Sequence, residues 1–133
     1  MLGVMPRIVV VGAGIGGLCA ARAVALAGHR PLVLERSPPG GAIGAGLVLW
    51  PNAVHALDEL GYRRALRAVA APARRAVFRN ALGRTLSEVD VEILARSAGA
   101  PMLVGERPAL QTALAEGMTV RHDVTVSAVD DRG

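Results

Sequence analysis

The stretch Ile8 to Gly17, IVVVGAGIGG, limits the fold more tightly than any other part of this chain. Arg7 to Val11 is short and rich in β-branched residues, which favours a buried strand. Gly12, Gly14 and Gly17 follow at G-x-G-x-x-G spacing. LCAARAVALAG then reads as a helix of strong formers. Its alanines let it lie close on a sheet, and Gly28 stops it. A second strand, Pro31 to Leu34, closes on Glu35. Strand, glycine turn, helix and strand within about thirty residues predict an α/β fold built on a Rossmann-like βαβ unit, right-handed by default.

The opening also has the outline of a secretion signal, because Arg7 precedes an apolar run and AVALA offers a small-residue cleavage site. Glycines at 12, 14, 16 and 17 and a charge at Arg22 interrupt that run and argue against it. No apolar run reaches the ~18 residues that span a bilayer.

Each glycine has a physical task if the turn holds a nucleotide. Gly12 permits the bend off the strand, Gly14 lets backbone approach a pyrophosphate, and Gly17 lets helix and strand close together. The helix start, through Ile15 and Gly16, directs unpaired N–H groups and partial positive charge at the phosphates. Glu35 follows Gly12 by 23 positions, where a carboxylate accepts ribose hydroxyls and repels a 2′-phosphate. The neighbouring Arg36 argues for a phosphate-bearing cofactor, less strongly than the carboxylate argues against one. A βαβ unit of this kind serves NAD and FAD alike.

Farther along, SPPGGAIGAG from Ser37 to Gly46 is a loop, and LVLW a short strand. Pro51 suits a first helical turn, and NAVHALDEL continues as a helix ended by Gly61. Tyr62 to Val69 is helical. The alternating runs on either side of Asn80 to Gly83 predict a hairpin over Ala76 to Val89. PMLVGE is a strand, RPALQTALAE a helix with proline in its first turn, and MTVRHDVTVSAV one or two strands.

Composition narrows the function classes. All 15 basic residues are arginine, giving a net charge of +4, but they are scattered and no aromatics alternate with them to stack on bases. Nucleic acid is therefore not the expected partner. The lone Cys19 precludes an internal disulfide and fits a reducing cytoplasm; a small core residue is the expected role. His29, His55 and His122 have no ligand spacing, so no metal site is assigned.

VVVGAGIGGLCAARAVALAGHRPLVLER resembles the opening of the single-component FAD-dependent monooxygenases, the aromatic hydroxylases typified by para-hydroxybenzoate and salicylate hydroxylases. GAGLVLWPNAVHALDELG, from Gly44, is similar to that family's loop, strand and helix after the ribose carboxylate. GERPALQTAL, from Gly105, is similar to its Arg-x-x-Leu segment. A simple NAD dehydrogenase domain has no reason to carry the latter two. The resemblance implies that Gly12, Gly14 and Gly17 bracket the FAD pyrophosphate and Glu35 holds the adenosine ribose. It also implies that Arg107 reaches the cofactor near its pyrophosphate and flavin end, that Val126 passes the adenine, and that Gly46 lies in a loop beside the flavin.

The activity implied is NAD(P)H- and O2-dependent hydroxylation of an aromatic or other electron-rich small molecule, with no catalytic acid or base nominated in this stretch. Another FAD-dependent oxidoreductase sharing the same opening, or a truncated and inactive nucleotide-binding module, is the alternative. By the same resemblance, residues 1–70 and 107–133 form an incomplete FAD-binding domain, and 71–106 begin an inserted substrate-domain sheet. A β-meander and a later Gly-Asp segment of the family are missing. The chain is thus expected to be an N-terminal third, to hold FAD weakly on its own, and to leave a sheet edge open to self-association.

Overall fold

The computed structural model describes residues 7–40 and 46–130. Among these the chain forms two compact units, one from 7–40 with 107–130 and the other from 46–106. The part of the expected glycine-rich loop at 41–45 lies outside the described residues.

In the first unit, strands β1 (Ile8–Val11), β2 (Pro31–Leu34) and β8 (Thr119–Arg121) make a parallel sheet in the order β1-β2-β8. Val10 pairs with Val33, and Val33 in turn with Val120. Helix α1 (Ile15–Leu26) packs on β1 and β2 and against α5 (Arg107–Ala115). The reason is visible in the residues each contributes. Leu18 and Ala21 from α1, Val33 from β2, and Leu110 and Leu114 from α5 are all buried and form the core. Alternation along β1 turns Val9 and Val11 the other way, and both are exposed. Strands β1 and β8 are the two edges of this sheet among the described residues.

The second unit is antiparallel where the first is parallel. Strands β3 (Gly46–Leu49) and β4 (Ala70–Pro72) flank β7 (Leu103–Glu106), while β5 (Arg75–Arg79) and β6 (Thr85–Asp90) form the expected hairpin. The Asn80 side chain closes that hairpin by accepting the N–H groups of Leu82 and Arg84. Helices α2 (Pro51–Glu59), α3 (Arg63–Val69) and α4 (Val91–Ala98) complete the unit. Pro51 opens α2, as its missing N–H allows. Helix α4 is not anticipated by the sequence reading, although Asp90 caps the N–H of Glu92 and Gly99 follows in a left-handed conformation.

Contacts place 46–72 with the second unit because β3 and β4 both pair with β7, whereas the sequence reading groups 1–70 with 107–133. The terminal run also differs from its alternation. Only Thr119–Arg121 is a strand, and Asp123 at φ 58° turns the chain away before VTVSAV can extend it.

Candidate functional site

The first unit contains a cleft of about 740 Å³ at the end of β1 and β2, lined by the glycine turn, the residues after β2, the outer face of α5 and the segment after β8. Its floor is set by backbone. Gly12 has φ 98°, a conformation that favours glycine, and its N–H donates to the Leu34 carbonyl at 2.7 Å. This bond ties the turn to the end of β2. A Cβ on Gly17 would run into the Gly12 carbonyl oxygen, so a side chain there would force the helix off the strand.

Gly14 caps α1 in an extended conformation, and its carbonyl accepts the N–H of Leu18 at 2.9 Å. Ile15 and Gly16 supply the first turn, whose N–H groups have no acceptor within the helix. No acidic side chain sits in that turn to offset its partial positive charge. A Cβ built on Gly14 or Gly16 meets nothing within 4 Å. The glycines thus act differently: Gly12 and Gly17 shape the turn, and Gly14 leaves room in front of it.

Glu35 stands at the end of β2 and reaches back to this turn. One carboxylate oxygen accepts the Ser37 N–H at 2.8 Å and the other the Ala13 N–H at 2.7 Å. These two backbone donors, Ser37 first, hold its carboxyl below the usual carboxylate range. Each oxygen retains a second lone-pair direction for a further donor. Arg36 is exposed on the cleft wall, and Val126 lines it half-buried.

Arg107 begins α5, exposed and facing the same cleft. Among the described residues its guanidinium has neither a hydrogen bond nor an ion pair, while Arg63, Arg74, Arg75 and Arg96 all pair with carboxylates. Gly46 belongs to the other unit, where it opens β3 opposite Glu106; this pairing makes it strand rather than loop. Cys19 is half-buried on α1, and burial pushes its thiol up, which suits a packing residue. No cluster of metal-binding side chains occurs among the described residues, and no helix among them is long and apolar enough to cross a membrane.

Two cleft residues escape the sequence reading. Gln111 donates its side-chain amide to the Ala13 carbonyl at 2.6 Å. Its polar character beside the buried Leu110 and Ala113 was the available signal. His122 lies 3.0 Å from the Ser37 carbonyl through Nδ1. A carbonyl only accepts, so Nδ1 carries the hydrogen and ties the segment after β2 to the segment after β8.

The NAD(P)-binding Rossmann-like domain family matches residues 10–61, which contain this turn and Glu35. A 3-hydroxybenzoate 6-hydroxylase from Polaromonas naphthalenivorans is 38% identical over 112 residues, 83% of this chain and 28% of that protein. An FAD-dependent monooxygenase from Beauveria bassiana is 35% identical over 135 residues, 96% of this chain and 32% of that protein. The homologues of this chain are FAD-dependent monooxygenases.

The chain spans about a third of the length of these curated relatives. Among solved structures, Klebsiella pneumoniae HpxO complexed with FAD and uric acid superposes with a TM-score of 0.77 at 28% identity. That match covers 92% of this chain and 32% of the other. Similarity to flavin-dependent monooxygenases therefore extends over both units rather than the glycine turn alone.

Proposed function

We propose that this chain supplies the FAD-binding part of a flavin-dependent monooxygenase. The observation that carries the reading is the convergence, in one cleft, of a helix start with no acidic residue in its own first turn, a carboxylate at the end of β2 and the unpartnered Arg107. Negative phosphates suit the first and third of these, and ribose hydroxyls suit the second. The space before Gly14 and Gly16 leaves their backbone approachable, so the residues present fit such a ligand.

In this reading the turn from Gly12 to Gly17 and Arg107 hold the pyrophosphate, Glu35 orients the adenosine ribose, and Arg36 and Val126 border the adenosine end. Gly46 is assigned to the flavin side. FAD, when bound, supplies the redox chemistry, with NAD(P)H as reductant and O2 as the oxygen source. The chain's own part is to bind and orient. The substrate class is an aromatic or other electron-rich small molecule. Residues 1–70 and 107–133 are assigned to the FAD-binding domain and 71–106 to the start of a substrate-domain sheet. The lone Cys19 supports a cytoplasmic location, and the open edge of β1 supports self-association.

The family match to an NAD(P)-binding domain favours one competing reading, a nicotinamide nucleotide in the same cleft. Titration of the purified chain with FAD, NADH and NADPH separates the two. Saturable quenching of flavin fluorescence is expected. Saturable nicotinamide binding without flavin binding would overturn the FAD assignment.

A further inference from the structure

Ala13, the residue between Gly12 and Gly14, is 4% exposed and lies in neither strand nor helix. Buried loop backbone must find partners outside regular structure. Here both partners are side chains. Glu35 takes the Ala13 N–H from 22 positions away, and Gln111 takes its carbonyl from 98 positions away. The two bonds fix the peptide units on either side of Ala13, including the one that leads into Gly14.

We propose that Gln111 is a positioning residue for the phosphate-facing turn, setting the peptide that precedes Gly14 without itself serving as a ligand. This rests on the FAD reading of the cleft. The chemistry of the amide supports the division of labour. The Ala13 carbonyl can only accept, so the Gln111 NH2 must face it, and that contact is the short one at 2.6 Å. Arg107, four positions earlier on the same face of α5, remains available for phosphate. Helix α5 thus supplies a clamp on the turn at one position and a charge for its ligand at the other. Without the clamp, the Ala13–Gly14 peptide can rotate, and the N–H groups that follow no longer converge.

The test compares the parent 133-residue chain with Gln111→Met, which keeps length but removes the donor, and Gln111→Glu, which presents only acceptors at neutral pH. Affinities for ADP and for adenosine are measured alongside backbone amide hydrogen exchange of the ligand-free chains. The expected result is about tenfold weaker ADP binding, equivalent to one lost hydrogen bond, with adenosine binding changed by less than about twofold. Exchange at Ala13 and Gly14 accelerates, whereas exchange in β2 does not. A merely structural role would lower both affinities together and accelerate exchange across the sheet, which would overturn the proposal. Unchanged ADP affinity in both variants would also overturn it. If the parent chain binds neither FAD nor ADP, the FAD reading fails. Hydrogen exchange at Ala13 and Gly14 then decides the clamp alone, and unaltered exchange at both in Gln111→Met rejects it.

Discussion

Arg107 stands one helical turn ahead of Gln111 on α5, and the two side chains border the same cleft with opposite commitments. Gln111 is bound to the Ala13 carbonyl, whereas Arg107 has no partner among the described residues. An exposed cation left unpaired at a helix start, where the dipole disfavours it, does not stabilise the fold.

The first prediction follows from that contrast. Arg107→Met leaves thermal stability unchanged but weakens FAD binding by roughly 10- to 100-fold, the value of a charge-assisted hydrogen bond to phosphate. Thermal melts and flavin titration of the same preparation check it. A large fall in melting temperature would show that Arg107 is structural instead.

Glycines 14 and 17 should separate binding from folding. Gly17→Ala drives a methyl group into the Gly12 carbonyl and destabilises the chain by about 2 kcal/mol or more. Gly14→Ala meets open space at an ordinary φ of −68°, so its stability stays within about 0.5 kcal/mol. Its methyl group occupies the room in front of the turn, and FAD affinity falls. Urea unfolding combined with flavin titration distinguishes the two cases.

Glu35 gives a pH dependence of known sign. Its carboxyl is held below its ordinary value of 4.5 by the N–H groups of Ser37 and Ala13. A depressed folded value means stability that is present above the unfolded value and is lost as pH falls through the folded one. Wild type should therefore exceed Glu35→Gln by about 1–2 kcal/mol at neutral pH. The gap should close as pH drops below about 4.5. Denaturation at a series of pH values measures it, and a constant gap would reject the assignment.

The β5–β6 hairpin should be the first part of the second unit to exchange its amides. Every residue of β6 is exposed, and two strands alone are marginal in water. Surface pairs such as Arg75–Glu88, at 2.8 Å, add little to hold it. Hydrogen exchange should show β5 and β6 opening well before β7, whose Leu103 is buried.

Local chemistry made part of this structure readable from residue order alone. The β-branched run, the glycines and the helix stop mark β1, α1 and the start of β2 because each acts on its own neighbours. Pro51 and the Asn80 turn mark α2 and the hairpin in the same way. Strand β4 carries no such mark: Ala70, Ala71 and Pro72 have weak strand preference and pair only because β7 offers an edge. Helix α4 did carry marks in Asp90 and Gly99, but the alternation of β6 runs up to the cap and obscures them.

The site divides similarly. Gly12, Gly14, Glu35 and Arg107 were legible by spacing and resemblance, and the structure gathers them along one cleft. Gln111 and His122 act across long separations, which periodicity cannot reveal. The run after Asp123 alternates like a strand, yet a positive φ at that residue redirects it.

The separation between Ala13 and Gln111 also bears on the order in which the molecule matures during translation. Residues through β2 leave the ribosome with their glycine turn already encoded, and the whole 46–106 unit follows before α5 appears. Until α5 docks, the Ala13 carbonyl has only water as a partner, and until β8 arrives, β2 lacks one neighbour. Early domains can fold while synthesis continues, but contacts this distant in sequence must wait. A nascent chain arrested before Gln111 would therefore carry the full glycine signature and an unfinished cradle.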